Sequence, residues 1–508
     1  MWQNIIKTAL IGTQRGKISE SDKLALKDIG VKIDTEPAKV VLQAAAVLGQ
    51  MQRVGKDLPK RQGGLPTASP EETLETCSEK AAYNLALMLS SEEFAPALPE
   101  FLRHLEHSNK VLPPESLPQV LNQCLVDEEM WKSVSQAVGE RGKWLAKQHP
   151  EWKKLVAEPA FQDWEYGTKA ERLLLLDYLR KRHPKKALEL IESTWSEDSF
   201  QDRQYYLDTL HTNLSETDEE FLESCLDDSR QEIRQVAALL LSKIENSDLN
   251  NRLFQEALSF IELKTRTFQK PKLVITIPDT FKNEWKRDGI HEKLHLFLFG
   301  QKANWLGQII HKIPPQKWDS YFKTSPEETL GIFLRSDWSE LLLQSLINAT
   351  SQHNNSLWAE AILTFWIKKR NKNNFQNVNI QPIFKAVSKP LFNKICLLEL
   401  KSMKGYIDDS EDLMQFLMAQ GERYTWEDDL AKAFYSNLVN WLSGETRSWH
   451  GWHYRTIMKK MVFNIRPQLH REFVQSIPMN SQVWSNWQKD FEAFFTILQF
   501  RKEMIENI

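Results

Sequence analysis

The chain has 508 residues with 65 Lys and Arg against 68 Asp and Glu, and this near balance excludes the broad basic field of a general nucleic-acid binder. Only 18 glycines, as many as tryptophans, leave few places for left-handed turns, which argues against sandwiches, propellers, collagen and doubly wound nucleotide-binding folds. A composition 41% hydrophobic and 26% charged excludes gross disorder, and the length suits about three domains.

At the N-terminus, Met1 to Gly16 lacks the basic stretch and long apolar run of a signal peptide. Gly12-Thr13-Gln14-Arg15-Gly16-Lys17 looks like a phosphate-binding loop. It has three residues between its glycines rather than four, and Ile18 stands where Ser or Thr would hold magnesium, so that reading is rejected. Ser69-Pro70-Glu71-Glu72 reads as a helix-starting capping box. An apolar stripe from Leu173 to Arg182 is closed by His183-Pro184, and helical stretches follow at Lys185 to Trp195, Gln204 to Leu214 and Glu219 to Leu226. Thr217 with Glu220, and Ser229 with Glu232, read as further helix starts. After Ser229, Ile233, Val236, Ala237, Leu240 and Ile244 fall on one helical face. With Asp228 in the turn and Arg234 in the second helix, this stretch resembles a HEAT repeat, a helix pair that buries its apolar face only against stacked neighbours. Two or three such pairs are predicted from Trp164 to about Leu263.

Lys264 to Lys272 is basic and polar, and Leu273-Val274-Ile275-Thr276-Ile277, bounded by Pro271 and Pro278, predicts one isolated strand or an extended linker. Helical patterning resumes at Gln301, with Leu306, Ile309, Ile310 and Ile313 on one face before Pro314-Pro315. Ser325-Pro326-Glu327-Glu328 repeats the capping box, and Thr425 with Asp428 is another start signal. Further helices are expected to the C-terminus, interrupted by the polar loop Arg370 to Asn379. The expected fold is all-α, a solenoid or superhelical array of HEAT-like helix pairs. It divides into an N-terminal helical domain (1–160), HEAT-like repeats (161–263), an irregular linker (264–300) and a C-terminal helical repeat domain (301–508). Twelve of the 18 tryptophans lie from Trp285 onward. Many, such as Trp318, Trp338 and Trp426, sit near helix ends, where an indole can plug a seam between helices. Burial at seams is the expectation; exposure along one face would instead mark a binding surface.

No apolar run approaches the roughly 18 residues of a membrane span. Cys77, Cys124, Cys225 and Cys396 form no CxxC pair, and free thiols without a leader suggest a reducing cytoplasm. The sharpest chemical motif is His291-Glu292-Lys293-Leu294-His295. On a helix its two imidazoles fall one turn apart and could hold zinc, with Glu292 as general base. Asp288-Gly289 just upstream reads as a turn and Lys293 adds positive charge, so a loop or a helix edge is the preferred reading. His450 and His453 among Trp449, Trp452 and Tyr454 could bind a metal or stack on a base, and read better as a packed helix entry. Lys368-Lys369-Arg370-Asn371-Lys372 suits a solvated helix C-terminus. No cofactor is expected.

Several segments together resemble an uncharacterised bacterial helical family: Thr8-Ala9-Leu10-Ile11-Gly12-Thr13, Cys77-Ser78 with Ala81-Ala82, Gly139-Glu140-Arg141-Gly142-Lys143-Trp144-Leu145, the stretch around Asp228 and Arg234, Arg287-Asp288-Gly289-Ile290, Gly300 to Leu306 with Trp305, and Phe500-Arg501-Lys502-Glu503-Met504. Neither His295 nor Gly16 belongs to that pattern. The resemblance implies association with a MoxR-type AAA ATPase, a von Willebrand A-domain protein and a SWIM zinc-finger protein, and it assigns no catalytic role to any residue. The function expected is a non-enzymatic cytoplasmic scaffold or adaptor making protein–protein contacts. The alternatives are a zinc-dependent hydrolase at 291–295 and nucleic-acid binding through the basic, Trp-rich C-terminal half.

Overall fold

A computed structural model describes residues 1–33, 36–54, 66–127, 130–131, 134–156, 162–264, 271–293, 299–369, 378–402, 416–417, 423–444, 451–481 and 483–508. The fold is all-α, with two short two-stranded sheets among the described residues. Contacts divide the chain into two units, Met1–Ala68 and Ser69–Ile508.

In the first unit the helices Trp2–Ile11, Glu20–Asp28 and Pro37–Val54 enclose Ile5, Leu26, Val40, Ala44 and Leu48. The Gly12 to Lys17 stretch is the turn that ends the first helix: Gly12 has φ +89° and the next helix begins only at Glu20. No strand precedes it, as a phosphate-binding loop would require.

In the second unit most of the predicted helices form among the described residues, with boundaries shifted by a few residues, while most of the helix expected at 412–419 lies outside the described residues. Lys169–Arg182, Pro184–Thr194, Phe200–Thr209, Glu219–Cys225, Gln231–Lys243 and Asp248–Phe260 follow in succession. Lys169–Arg182 packs on Phe200–Thr209, which packs on Gln231–Lys243. Beyond them Gln301–Lys312 packs on Ser339–Gln352, and its expected stripe of Leu306, Ile309 and Ile310 is fully buried. One core takes in buried residues from Trp164 to Leu498, with Leu273, Trp285 and Ile290 among them. The segment at 273–277 is not isolated: Lys272–Ile275 pairs antiparallel with Ile261–Lys264, Leu263 opposite Leu273. The ladder satisfies backbone groups that a lone strand would leave open.

Helix starts show where local chemistry prevails. Ser325 and Glu328 form the predicted capping box. Ser69 to Glu72 does not start a helix; the Glu72 carboxylate instead accepts the Glu140 N–H at 2.7 Å. The start assigned to Thr217 and Glu220 belongs to Ser215 and Asp218. At 229–232 the Asp228 carboxylate accepts the Arg230 N–H at 2.8 Å, while Ser229 caps nothing. The helix after Thr425 is capped from outside, by Asn393 Oδ1 accepting the Glu427 N–H at 2.7 Å.

The last helix, Trp484–Glu506, returns to the first helices of its unit, Glu79–Ser90 and Leu98–His107. Buried Arg501 donates to both carboxylate oxygens of Glu100, at 2.6 and 2.7 Å, and to the Ile465 carbonyl at 2.9 Å. Met504 completes the core of residues 77–138. The ends of the array therefore meet.

Seventeen tryptophans are described. Nine are buried and one, Trp452, is plainly exposed at 59%. The buried rings fill seams: Trp318 lies between Phe254 and Phe333, and Trp426 between Phe392 and Phe434.

Candidate functional site

The middle of the second unit carries a repeat of 31 residues that periodicity alone does not announce. Trp164 and Trp195 are 31 apart, as are Arg172, Arg203 and Arg234 in succession, and Leu179, Leu210 and Leu241. The helix caps keep the same interval. Thr168 Oγ1 accepts the Glu171 N–H, and Ser199 Oγ accepts the Asp202 N–H. Each repeat then bolts to the next. Arg172 reaches Asp198 at 3.6 Å with its guanidinium over Trp164, and Arg203 reaches Asp228 at 2.6 Å with its guanidinium over Trp195. A planar guanidinium suits both contacts at once. Asp228 and Arg234, singled out from sequence, do come together, but Arg234 donates to the backbone carbonyls of Asp228 (2.6 Å) and Ser229 (3.1 Å). The Asp228 carboxylate itself is taken by Arg203 and the Arg230 N–H. The signal that would have exposed this ladder is the Trp–Arg interval, not the apolar stripe.

The ladder continues through Arg287-Asp288-Gly289. Arg287 grips Asp227 with two hydrogen bonds, at 2.8 and 3.1 Å. That pairing pushes the guanidinium pKa upward and draws the Asp227 carboxyl below its usual range. Asp288 is buried and accepts from Arg252 at 3.0 Å and Arg287 at 3.3 Å, while Arg252 also reaches Glu223 at 3.1 Å. Gly289 has φ +77°, and a Cβ there would lie 2.6 Å from Ala238 Cβ. The turn thus presses onto the helix Gln231–Lys243, where only glycine fits.

A cavity of about 340 Å³ opens beside this turn, lined by Gln231, Gln235, Gly289, Ile290 and His291 among others. His291 is clamped by Gln308, which accepts the His291 N–H at 2.8 Å and donates to its carbonyl at 2.9 Å. Burial lowers the His291 imidazole pKa. Behind it, burial lowers Lys312 to about 8, His311 to about 3 and His353 to about 4. Trp305 donates to the Glu292 carbonyl at 2.9 Å, tying the Gly300 to Leu306 segment to the same turn.

The zinc motif lacks its helix at its first three residues: 291–293 form a bend, and the Glu292 side chain is exposed. His295 lies outside the described residues. Among the described residues no three His, Cys, Asp or Glu side chains gather as a metal site. Of the aromatic cluster, Trp449 and His450 lie outside the described residues, as do Arg370, Asn371 and Lys372 of the basic run. Trp452 and His453 open the helix Trp452–Met461, with their rings edge to face at 5.1 Å. Arg141 is exposed and Trp144 half-buried on the helix Gly139–Gln148. All four cysteines are buried thiols, and no helix among the described residues is long and apolar enough to cross a membrane.

The bolts leave a regular surface. Leu174 and Tyr205, 31 residues apart on adjacent helices, are 56% and 49% exposed, and Val236 holds the next equivalent place, half-buried. Lys169 lies over one face of the Tyr205 ring at 3.7 Å.

The chain belongs to a family of unknown function, DUF5691, whose model matches residues 4–508. No curated protein matches it.

Proposed function

We propose that the protein is a non-catalytic scaffold or adaptor that holds protein partners in the cytoplasm. The observation that carries this reading is the pair of exposed positions Leu174 and Tyr205 on adjacent helices, at the same 31-residue interval as Arg172 and Arg203, which bolt those helices to Asp198 and Asp228. Exposed apolar residues in register on stacked helices make an extended docking strip. The partners are a MoxR-type ATPase and a von Willebrand A-domain protein, on the strength of the sequence resemblance. Co-purification of the full chain with both proteins tests this. Recovery of either, reduced at least tenfold by Leu174→Asp with Tyr205→Asp, is the expected result; recovery of neither would overturn it. The hydrolase alternative is checked by elemental analysis of the purified chain. No stoichiometric zinc is expected, and one zinc per chain that is lost in His291→Ala would replace the scaffold reading.

A further inference from the structure

A second cavity, of about 610 Å³, lies between the helices Gly139–Gln148 and Lys169–Arg182. On the first helix Lys143, Trp144 and Lys147 face it, at three- and four-residue steps that put them on one side. The other side of that helix is buried through Gly139, Gly142 and Ala146. A Cβ at Gly142 would stand 2.7 Å from Val138 Cβ, and one at Gly139, where φ is +63°, only 2.1 Å from Glu72 Oε2. Glu72 meanwhile accepts the Glu140 N–H at 2.7 Å, a carboxylate at the positive end of the helix. The helix is thus fixed from behind and at its start, and its polar face is held toward the cavity.

Three aromatic rings, Trp131, Trp144 and Tyr178, line the space. So do three cations, Lys143, Lys147 and Arg182. Lys143 is matched by Glu140 at 2.9 Å. Among the described residues neither Lys147 nor Arg182 makes an ion pair, and the Arg182 guanidinium lies 4.2 Å over the Tyr178 ring. The cavity therefore joins flat π-faces to two positive charges contributed by two different helices. Its size falls in the range that encloses a small ligand. Rings of this kind stack on a base whatever its identity, and an Arg fork with a Lys ammonium suits phosphate oxygens. Two unmatched cations suit a doubly charged phosphate better than a single carboxylate.

We propose that this cavity binds a nucleoside phosphate, its base against Trp131 and Trp144 and its phosphate at Lys147 and Arg182, the latter held over the Tyr178 ring. Nothing in this proposal depends on the partner strip at Leu174 and Tyr205. Isothermal titration of the full chain with ADP and with UDP at low salt tests it. One saturable site per chain is expected, weakened at least tenfold in Arg182→Glu and, separately, in Trp144→Leu, with the helical circular dichroism of both variants unchanged. If Trp144→Leu fails to fold, the exposed Lys147→Glu takes its place with the same tenfold loss expected. Adenosine alone and inorganic phosphate alone should each bind at least tenfold more weakly than ADP. No saturable binding of either nucleotide, phosphate binding as tight as ADP, or affinity unchanged in the folded variants would overturn the proposal.

Discussion

The segment Trp164 to Lys243 and the segment from Gln301 to the C-terminus are built from the same unit, a helix packed on its neighbours, but they are fastened differently. The first is bolted at its edge by ion pairs and guanidinium–indole contacts, Arg172 with Asp198 and Trp164, then Arg203 with Asp228 and Trp195. The second is filled by rings. Trp318 and Trp358 are wholly buried, Trp426 and Trp487 nearly so, and Tyr435 stacks on Phe473 at 4.1 Å. Most of its ion pairs, such as Lys432–Glu472, lie at the surface, the buried pair of Arg501 with Glu100 excepted. Bolts set a repeat interval, because each arginine must meet an aspartate at a fixed place. Ring packing sets volume and leaves the interval free. This accounts for the 31-residue spacing of Arg172, Arg203 and Arg234 in the middle of the chain.

The comparison breaks first at its strongest contacts. Trp318→Ala removes the largest kind of core side chain and should cost about 3–5 kcal/mol in urea unfolding. Arg180→Ala should cost a similar amount. Its wholly buried pair with Asp218, at 2.8 Å, would leave a carboxylate without its partner, a change worth about 3–5 kcal/mol. A loss below about 1 kcal/mol from Arg180→Ala, with Trp318→Ala severe, would show that only the rings hold the unit together. Next comes Gly289→Ala, where the left-handed backbone and the approach to Ala238 together should cost about 2–4 kcal/mol.

Two half-buried histidines after residue 300, His311 and His353, give a pH test. His353 Nε2–H donates to the Lys312 carbonyl at 3.0 Å, and burial holds His353 at about 4 and His311 at about 3, below the ordinary 6.5. Both imidazoles are neutral in the fold, whereas the unfolded chain takes up protons below pH about 6.5. Stability from this source is complete above pH 6.5 and is lost as pH falls toward 4. The urea midpoint should drop between pH 7 and pH 5, and the drop should shrink in His353→Gln. An equal drop in the variant would remove His353 from the account.

The smallest effect sharpens the contrast most. Arg203→Ala should cost about 1 kcal/mol, because its pair is partly exposed and open to screening. That cost should shrink in 1 M salt, while the Trp318→Ala cost should not. Equal salt response in both variants would erase the distinction between the two segments.

Much of the fold was legible because helices announce themselves locally. The stripe Leu306, Ile309 and Ile310 is buried as expected, and Pro314 follows the end of its helix. What was not legible depends on partners far away in sequence. The Glu72 carboxylate serves a helix 68 residues later in place of its own. Arg501 meets Glu100 across 401 residues, so nothing near either one predicts that the ends of the array meet. Of the candidate site, the Asp228, Arg234 and Arg287-Asp288-Gly289 positions were visible as motifs, but their pairings were not. The arginines recur every 31 residues, while Asp198 and Asp228 are 30 apart, which blurs the repeat of the pair. The zinc spacing at 291–295 assumed a helix. The left-handed turn at Gly289 and the Gln308 clamp on His291 hold 291–293 as a bend instead.

The scaffold reading is tested most directly by hydrogen exchange of the full chain, alone and mixed with the MoxR-type ATPase and the A-domain protein. Protection should appear on mixing across Lys169–Arg182 and Phe200–Thr209, the helices that carry Leu174 and Tyr205, and should be absent in the Leu174→Asp, Tyr205→Asp variant. Exchange unchanged in these helices when both proposed partners are present would contradict the scaffold reading.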